Sequence, residues 1–214
     1  MTDDGSAGWK ILFRRALEII DAAAKSGERL DDWTFGGGTV LMRRFHHRVS
    51  RDVDIFVPDP QYLGYLSPRL NNAADELTSR YLETAISVKL FFAEGEIDFI
   101  ASAPLTAGPD VAETVEGRKV RVETTAEILA KKVWHRGSGF TARDIFDFAM
   151  AVKRDPAAVA SLQPILRKRR AAVRERIASA RPALRTAFAG LARLDTELDF
   201  DDCTRIVLES LDQA

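Results

Sequence analysis

Apolar residues recur at helical spacing from Trp9 to Lys25 (WKILFRRALEIIDAAAK), and Gly27 then offers a helix end. Trp33 to Phe35 reads as a short strand running into three glycines, and Thr39 to His47 as a helix. Val53 to Val57 is rich in β-formers and is closed by Pro58. Leu70 to Tyr81 reads as a helix. Ile86 to Phe92 and Glu96 to Ile100 read as strands joined by the turn Ala93-Glu94-Gly95, and Gly117-Arg118 turns a second hairpin over Ala112 to Glu123. From Thr124 onward the pattern is helical almost throughout. Mixed strands and helices followed by helices alone predict an α+β fold: a small mixed sheet domain over residues 1–123, then an all-helical domain over residues 124–214.

Composition narrows the class. Apolar residues make up 46% and charged residues 29%, the balance of an ordinary globular protein. No apolar run approaches the about 18 residues of a membrane span. The first residues, MTDDGSAGWK, are acidic and lack the basic and apolar regions of a signal peptide. The single cysteine, Cys203, has no partner for an internal disulfide and makes no zinc site. A reducing, cytoplasmic setting without a membrane partner is therefore expected. Lys153 to Arg193 holds eleven basic and two acidic residues, a net +9, which leaves −10 for the rest of the −1 chain. That asymmetry suits either a polyanion partner or a solvated arginine-rich helix face.

The chemistry concentrates in GGGTVLMRRFHHRVSRDVDIF, Gly36 to Phe56. Glycine between a strand and a helix admits close approach of a ligand, and the helix start offers free N–H groups to a phosphate. The same pattern also serves as a tight turn, with Thr39 as helix cap or phosphate contact. Asp52 and Asp54 alternate on a strand, so both carboxylates project from one face and repel unless a cation joins them. Mg²⁺ takes a few carboxylate oxygens together with water and phosphate. Asp98, between Ile97 and Phe99, is the candidate third carboxylate; the alternative is a strand that turns Asp98 to water. His46 reads as solvent-facing, and His47 as either exposed or buried.

A second constellation lies in TTAEILAKKVWHRGSGFTARDIFDF, Thr124 to Phe148. Thr124-x-x-Glu127 reads as a capping box. Lys132 falls on the apolar side of its helix, where it must snorkel or meet an anion, while Lys131 reads as a surface residue. Arg143, Asp144 and Asp147 open the next helix. Thr141-x-x-Asp144 again resembles a capping box, and Arg143 and Asp147 have the spacing of an i,i+4 pair.

These residues resemble the AbiEii-type nucleotidyltransferase toxins of the polymerase-β-like superfamily. The resemblance rests on Gly37-Gly38-Thr39, Leu41, His47-Arg48-x-Ser50-x-Asp52-x-Asp54-x-Phe56, Ala130-x-Lys132 and Arg143-Asp144-x-x-Asp147, and covers Phe35 to Phe148. It implies that Gly37, Gly38, Thr39 and Ser50 surround the nucleotide's triphosphate, that Asp52, Asp54 and Asp98 hold one or two Mg²⁺ ions, and that Lys132 and Arg143 meet phosphates. Asp144 would be a base for the incoming hydroxyl or an orienter of Lys132, with Asp147 supporting the helix junction. Thr141 stands where the family often has arginine, and the loop RGSGFTAR (Arg136 to Arg143) is longer than the compact form.

The implied activity is transfer of a nucleoside monophosphate from a nucleoside triphosphate to RNA, such as tRNA, by the toxin of a toxin–antitoxin or phage-defence pair. A cognate antitoxin is then a partner, and Arg167, Lys168, Arg169, Arg170 and Arg174 would guide the RNA. A small-molecule or protein hydroxyl as acceptor, or a degenerate binding module, are the rival expectations.

Overall fold

The computed structural model describes residues 8–25 and 30–214, which places the helix end expected at Gly27 outside it. The chain forms two compact units. The first takes the chain up to Val40 with Ser50–Pro104 and Asp110–Glu123; the second takes Leu41–Val49, Leu105–Pro109 and Thr124–Ala214.

The first unit contains α1 (Gly8–Lys25), β1 (Thr34–Gly36), the start of α2 (Gly37–Phe45), β2 (Val53–Val57), α3 (Tyr62–Leu66), α4 (Asn72–Leu77), β3 (Tyr81–Glu83), β4 (Ser87–Phe91), β5 (Glu96–Ala101), β6 (Asp110–Val115) and β7 (Arg118–Glu123). The strands form one mixed sheet in the order β3-β4-β5-β2-β1-β7-β6, with β2–β5 and β1–β7 parallel. Alternation fixes its two faces. Phe35, Ile55, Phe99 and Val88 share register and are buried, and Phe13 of α1 packs on Phe35 with ring centroids 4.7 Å apart. The opposite face carries the charged row Lys89, Asp98, Asp54, ending at Gly36.

The helix expected over Leu70 to Tyr81 is shorter. Asn71 caps α4 by accepting from the Ala74 N–H, α4 ends at Leu77, and Tyr81 begins the edge strand β3. Helical spacing of apolar residues there masks a change of element. Similarly, α2 starts two residues before Thr39 and stops at Phe45, because His46 takes a left-handed φ of 51°.

The second unit completes α2 and adds α5 (Thr125–Lys131), a wide π turn over Lys132–Arg136, a tight turn over Gly137–Gly139, α6 (Ala142–Arg154), α7 (Pro156–Ala160), α8 (Gln163–Ser179), α9 (Arg181–Ala189) and α10 (Phe200–Asp212). An aromatic chain, Phe45, His47, Phe146, Phe188 and Phe200, runs through its core with successive centroids 5.1–6.0 Å apart. Thr124 caps α5 by accepting the Glu127 N–H, but Glu127 does not return the bond. Its buried carboxylate instead accepts the N–H groups of Leu105 and Thr106 and the Thr106 hydroxyl, pinning the segment Leu105–Pro109. Around Thr141 and Asp144 the reciprocal capping box forms.

Candidate active site

In the first unit, Gly37 has φ +72°, a conformation that suits glycine. A Cβ there would lie 1.7 Å from Asp54 Oδ2, so the Asp54 carboxylate occupies the space that a side chain at the start of α2 would fill. Thr39, fully buried, donates its hydroxyl to the Asp52 carbonyl and lies 3.1 Å from Ser50 Oγ. Thr39 and Ser50 thus brace the segment that delivers the two aspartates, and the Thr39 hydroxyl is turned to that segment. Asp52 Oδ1 accepts the Glu96 N–H at 3.2 Å.

Asp98 lies beside Asp54 in register across the parallel pair β2–β5. Lys89 crosses from β4 to bond Glu96 Oε2 at 2.7 Å and reach Asp98 Oδ2 at 3.0 Å. Burial works against the Lys89 ammonium, but the two carboxylates outweigh it and hold its pKa above the ordinary lysine value. Burial pushes the Asp98 carboxyl upward; Lys89 opposes this, while Glu96 and Asp52 reinforce it. Asp98 Oδ1 is buried without a hydrogen-bond partner among the described residues. No three His, Cys, Asp or Glu side chains among the described residues gather as a ready metal cluster, so Asp52, Asp54 and Asp98 are neighbours rather than a closed cradle. Their donor set nevertheless fits a hard divalent cation: every donor is a carboxylate oxygen, and the orphaned Oδ1 of Asp98 lacks a positive partner.

The second unit holds a buried ionic network. Lys132 Nζ lies 2.7 Å from Asp144 Oδ1 and 3.1 Å from Asp147 Oδ2. Asp147 also receives Arg48 Nε at 2.7 Å, Arg48 Nη2 at 2.8 Å and His47 Nε2 at 2.7 Å. Asp144 further accepts the Thr141 hydroxyl and N–H and pairs with Arg136. Burial favours the protonated form of both acids. The charges of Arg48 and Lys132 overcome it at Asp147, whose carboxyl falls well below its usual range; Lys132 and Arg136 overcome it at Asp144, which is lowered too. An acid held ionised this way is a poor proton acceptor, and Asp144 bonds Lys132 directly.

His46 is exposed, as its position suggested, and His47, left open by the sequence, is fully buried. Other expectations change. Lys131, expected at the surface, is buried 3.6 Å from Glu127 Oε1. Asp147 turns inward to its partners about a hundred residues away in sequence, and Arg143 is exposed. Lys89 and Glu96 went unnoticed; alternation placed Asp98 on a face but gave no register to show which side chain meets it. The pair His47-Arg48 carried the only sequence signal for the anchor of Asp147.

The family profile for the AbiEii nucleotidyl transferase toxin of type IV toxin–antitoxin systems matches residues 21–209. No curated protein matches the sequence. Among solved structures, the antibiotic-resistance factor ANT(2'')-Ia in solution is similar with a TM-score of 0.54 at 16% identity, over 83% of this chain and 97% of that one. A protein from H. pylori assigned as a nucleotidyltransferase is similar with a TM-score of 0.53 at 14% identity, over 100% of this chain and 95% of that one. The nucleotidyltransferase toxin MenT4 from Mycobacterium tuberculosis H37Rv follows with a TM-score of 0.48 at 15% identity, over 99% and 94%. At such identities the first two likenesses are likenesses of fold.

Proposed function

The chain belongs to the AbiEii family of nucleotidyl transferase toxins, and from that premise we propose a magnesium-dependent transfer of a nucleoside monophosphate from a triphosphate to a hydroxyl of RNA, by the toxin of a toxin–antitoxin pair with a cognate antitoxin. The chain is a nucleotidyltransferase; the metal, the acceptor and the biological pairing are our reading.

One observation carries it: the Asp54 carboxylate fills the side-chain space over Gly37, where α2 begins. A helix start offers N–H groups and partial positive charge to a phosphate. An acid held against it is the place to attach a cation that a triphosphate shares. Asp52, Asp54 and Asp98 are the residues that would hold magnesium. When bound, the ion supplies neutralisation of the charge that moves onto pyrophosphate. The N–H groups at Gly37, Gly38 and Thr39 would take phosphate oxygens. Ser50 acts on the nucleotide through its brace with Thr39. Lys132, hydrogen-bonded to Asp144 and ion-paired with Asp147, keeps N–H donors to give to a phosphate, and Arg143 is exposed to serve one as well. In the reaction the acceptor oxygen bonds to the α-phosphorus as the bond to pyrophosphate breaks, and the hydroxyl proton is released to solvent.

The test is incubation of the chain with each α-labelled nucleoside triphosphate, magnesium and total RNA. Label is expected in RNA from at least one nucleotide, and its loss with chelator and with Asp54→Asn. No transfer from any of the four, or equal transfer by the variant, refutes the reading. Label on a small molecule or protein added in parallel would replace RNA as acceptor and keep the chemistry.

A further inference from the structure

Five of the eleven basic residues along 153–193 are answered by carboxylates of the second unit. Lys153 pairs with Glu197, Arg154 with Asp195, Arg174 with Asp212, and Arg181 and Arg185 both with Asp201. Arg176 donates to the Phe140 carbonyl and Arg167 to the Ala214 carbonyl. Three consecutive residues of α8 differ: Lys168, Arg169 and Arg170 have neither a carboxylate nor a carbonyl partner among the described residues. Lys168 and Arg169 flank an aromatic side chain, and Arg170 follows them on the helix. The Arg169 guanidinium lies 4.4 Å from the centroid of the Trp134 ring and the Lys168 ammonium 5.9 Å from it. Arg169 Nε is buried and has no hydrogen-bond acceptor among the described residues, so the ring is what holds that guanidinium. Lys168 and Arg170 are exposed, and Trp134 is half-buried on the π turn that also carries Lys132. Beyond that turn, a Cβ placed at Gly139 would meet nothing within 4 Å, so the surface there is open.

We propose that Trp134, Lys168, Arg169 and Arg170 form a docking platform for a single-stranded stretch of the RNA acceptor. A guanidinium stacked on an indole offers a broad planar surface on which an unpaired base can lie, whatever its identity. Two exposed cations, Lys168 beside the ring and Arg170 next along the helix, answer successive phosphates and release counterions on binding. An acidic polypeptide would use the cations and leave the stacked surface unused. Lys153, Arg154, Arg174, Arg181 and Arg185 contribute little, because carboxylates already answer their charges. The platform rests on the reading of RNA as acceptor.

The experiment is fluorescence anisotropy of the full chain with a short single-stranded RNA of mixed sequence, over a range of salt. Lys168→Glu combined with Arg170→Glu is expected to weaken binding at least about tenfold and to flatten the slope of log K against log salt by about 1.4, two phosphates at about 0.7 each. Trp134→Leu is expected to weaken binding by about tenfold through lost stacking. Arg185→Ala, which removes a paired charge, leaves binding as in the wild type. Both exposed-charge substitutions lie on the surface, so their result stands even where Trp134→Leu disturbs folding.

The proposal is overturned by wild-type affinity in the charge-reversed variant, by an equal loss in Arg185→Ala, or by binding to polyglutamate in place of RNA. Label transfer on the same samples separates the two readings. RNA labelled without dependence on the platform sinks the platform and keeps the enzyme. Platform-dependent binding without label transfer keeps the platform and sinks the acceptor chemistry.

Discussion

Asp147→Asn removes a charge from the centre of the second unit. Asp147 is fully buried; it takes two hydrogen bonds from Arg48 and one from His47, and pairs with Lys132 at 3.1 Å. An amide of the same shape keeps an oxygen for one partner but leaves Arg48, itself 3% exposed, without its counter-charge. Breaking one side of a buried pair costs about 3–5 kcal/mol. Domains carry about 5–15 kcal/mol in total, so the loss is a large share of it. Arg48→Met should cost a similar amount by stranding the carboxylate. The double variant should fall short of the sum by about 0.5–3 kcal/mol, since the two residues act as one unit.

Urea unfolding at pH 7, followed by far-ultraviolet circular dichroism, reads all three values. The pH dependence has a fixed sign. The folded-state carboxyl is depressed, so its stabilisation is present above the unfolded-state value of about 3.9 and is lost as pH falls through the lower folded-state value. Wild type should therefore lose stability in acid more steeply than Asp147→Asn. An Asp147→Asn chain within about 0.5 kcal/mol of wild type, with an additive double variant, would refute the buried ion-pair argument.

Gly37→Ala should abolish nucleotide transfer. Its Cβ would sit 1.7 Å from Asp54 Oδ2 at φ +72°, forcing the carboxylate aside, and the strained backbone alone should lower stability by about 1–2 kcal/mol; an active, undiminished variant would show that Asp54 does not need its place over the helix start. Thr141→Ala removes the cap of α6 and a bond to Asp144, so urea unfolding should show a loss of about 1 kcal/mol. Cys203 is buried with its thiol pKa pushed up to about 12, so a thiol reagent at pH 8 should modify it only on unfolding.

The parts of the fold that depend on local pattern were legible. Alternation in Val53 to Val57 and Glu96 to Ile100 placed two strands, and the glycines before Thr39 placed a strand-to-helix turn. What failed to show was register and long-range pairing. Nothing in the sequence around Asp98 says that Lys89 stands opposite it, because that depends on how a hairpin closes. Helical spacing suggested Arg143 as a partner for Asp147, whereas burial turned Asp147 toward Arg48 and His47. Lys131 and Lys132 were separable by face, yet both are buried, since Glu127 and the two aspartates each take one. A count of charges over α8 and α9 also overstated the free basic surface, because acids of α10 neutralise several of those arginines.

Calorimetric titration of a non-hydrolysable nucleoside triphosphate into the chain, with magnesium and then with chelator, tests the centre of the account most directly. Binding should require magnesium in the wild type and vanish in Asp54→Asn. Binding of equal strength in chelator, or undiminished in the variant, would contradict it.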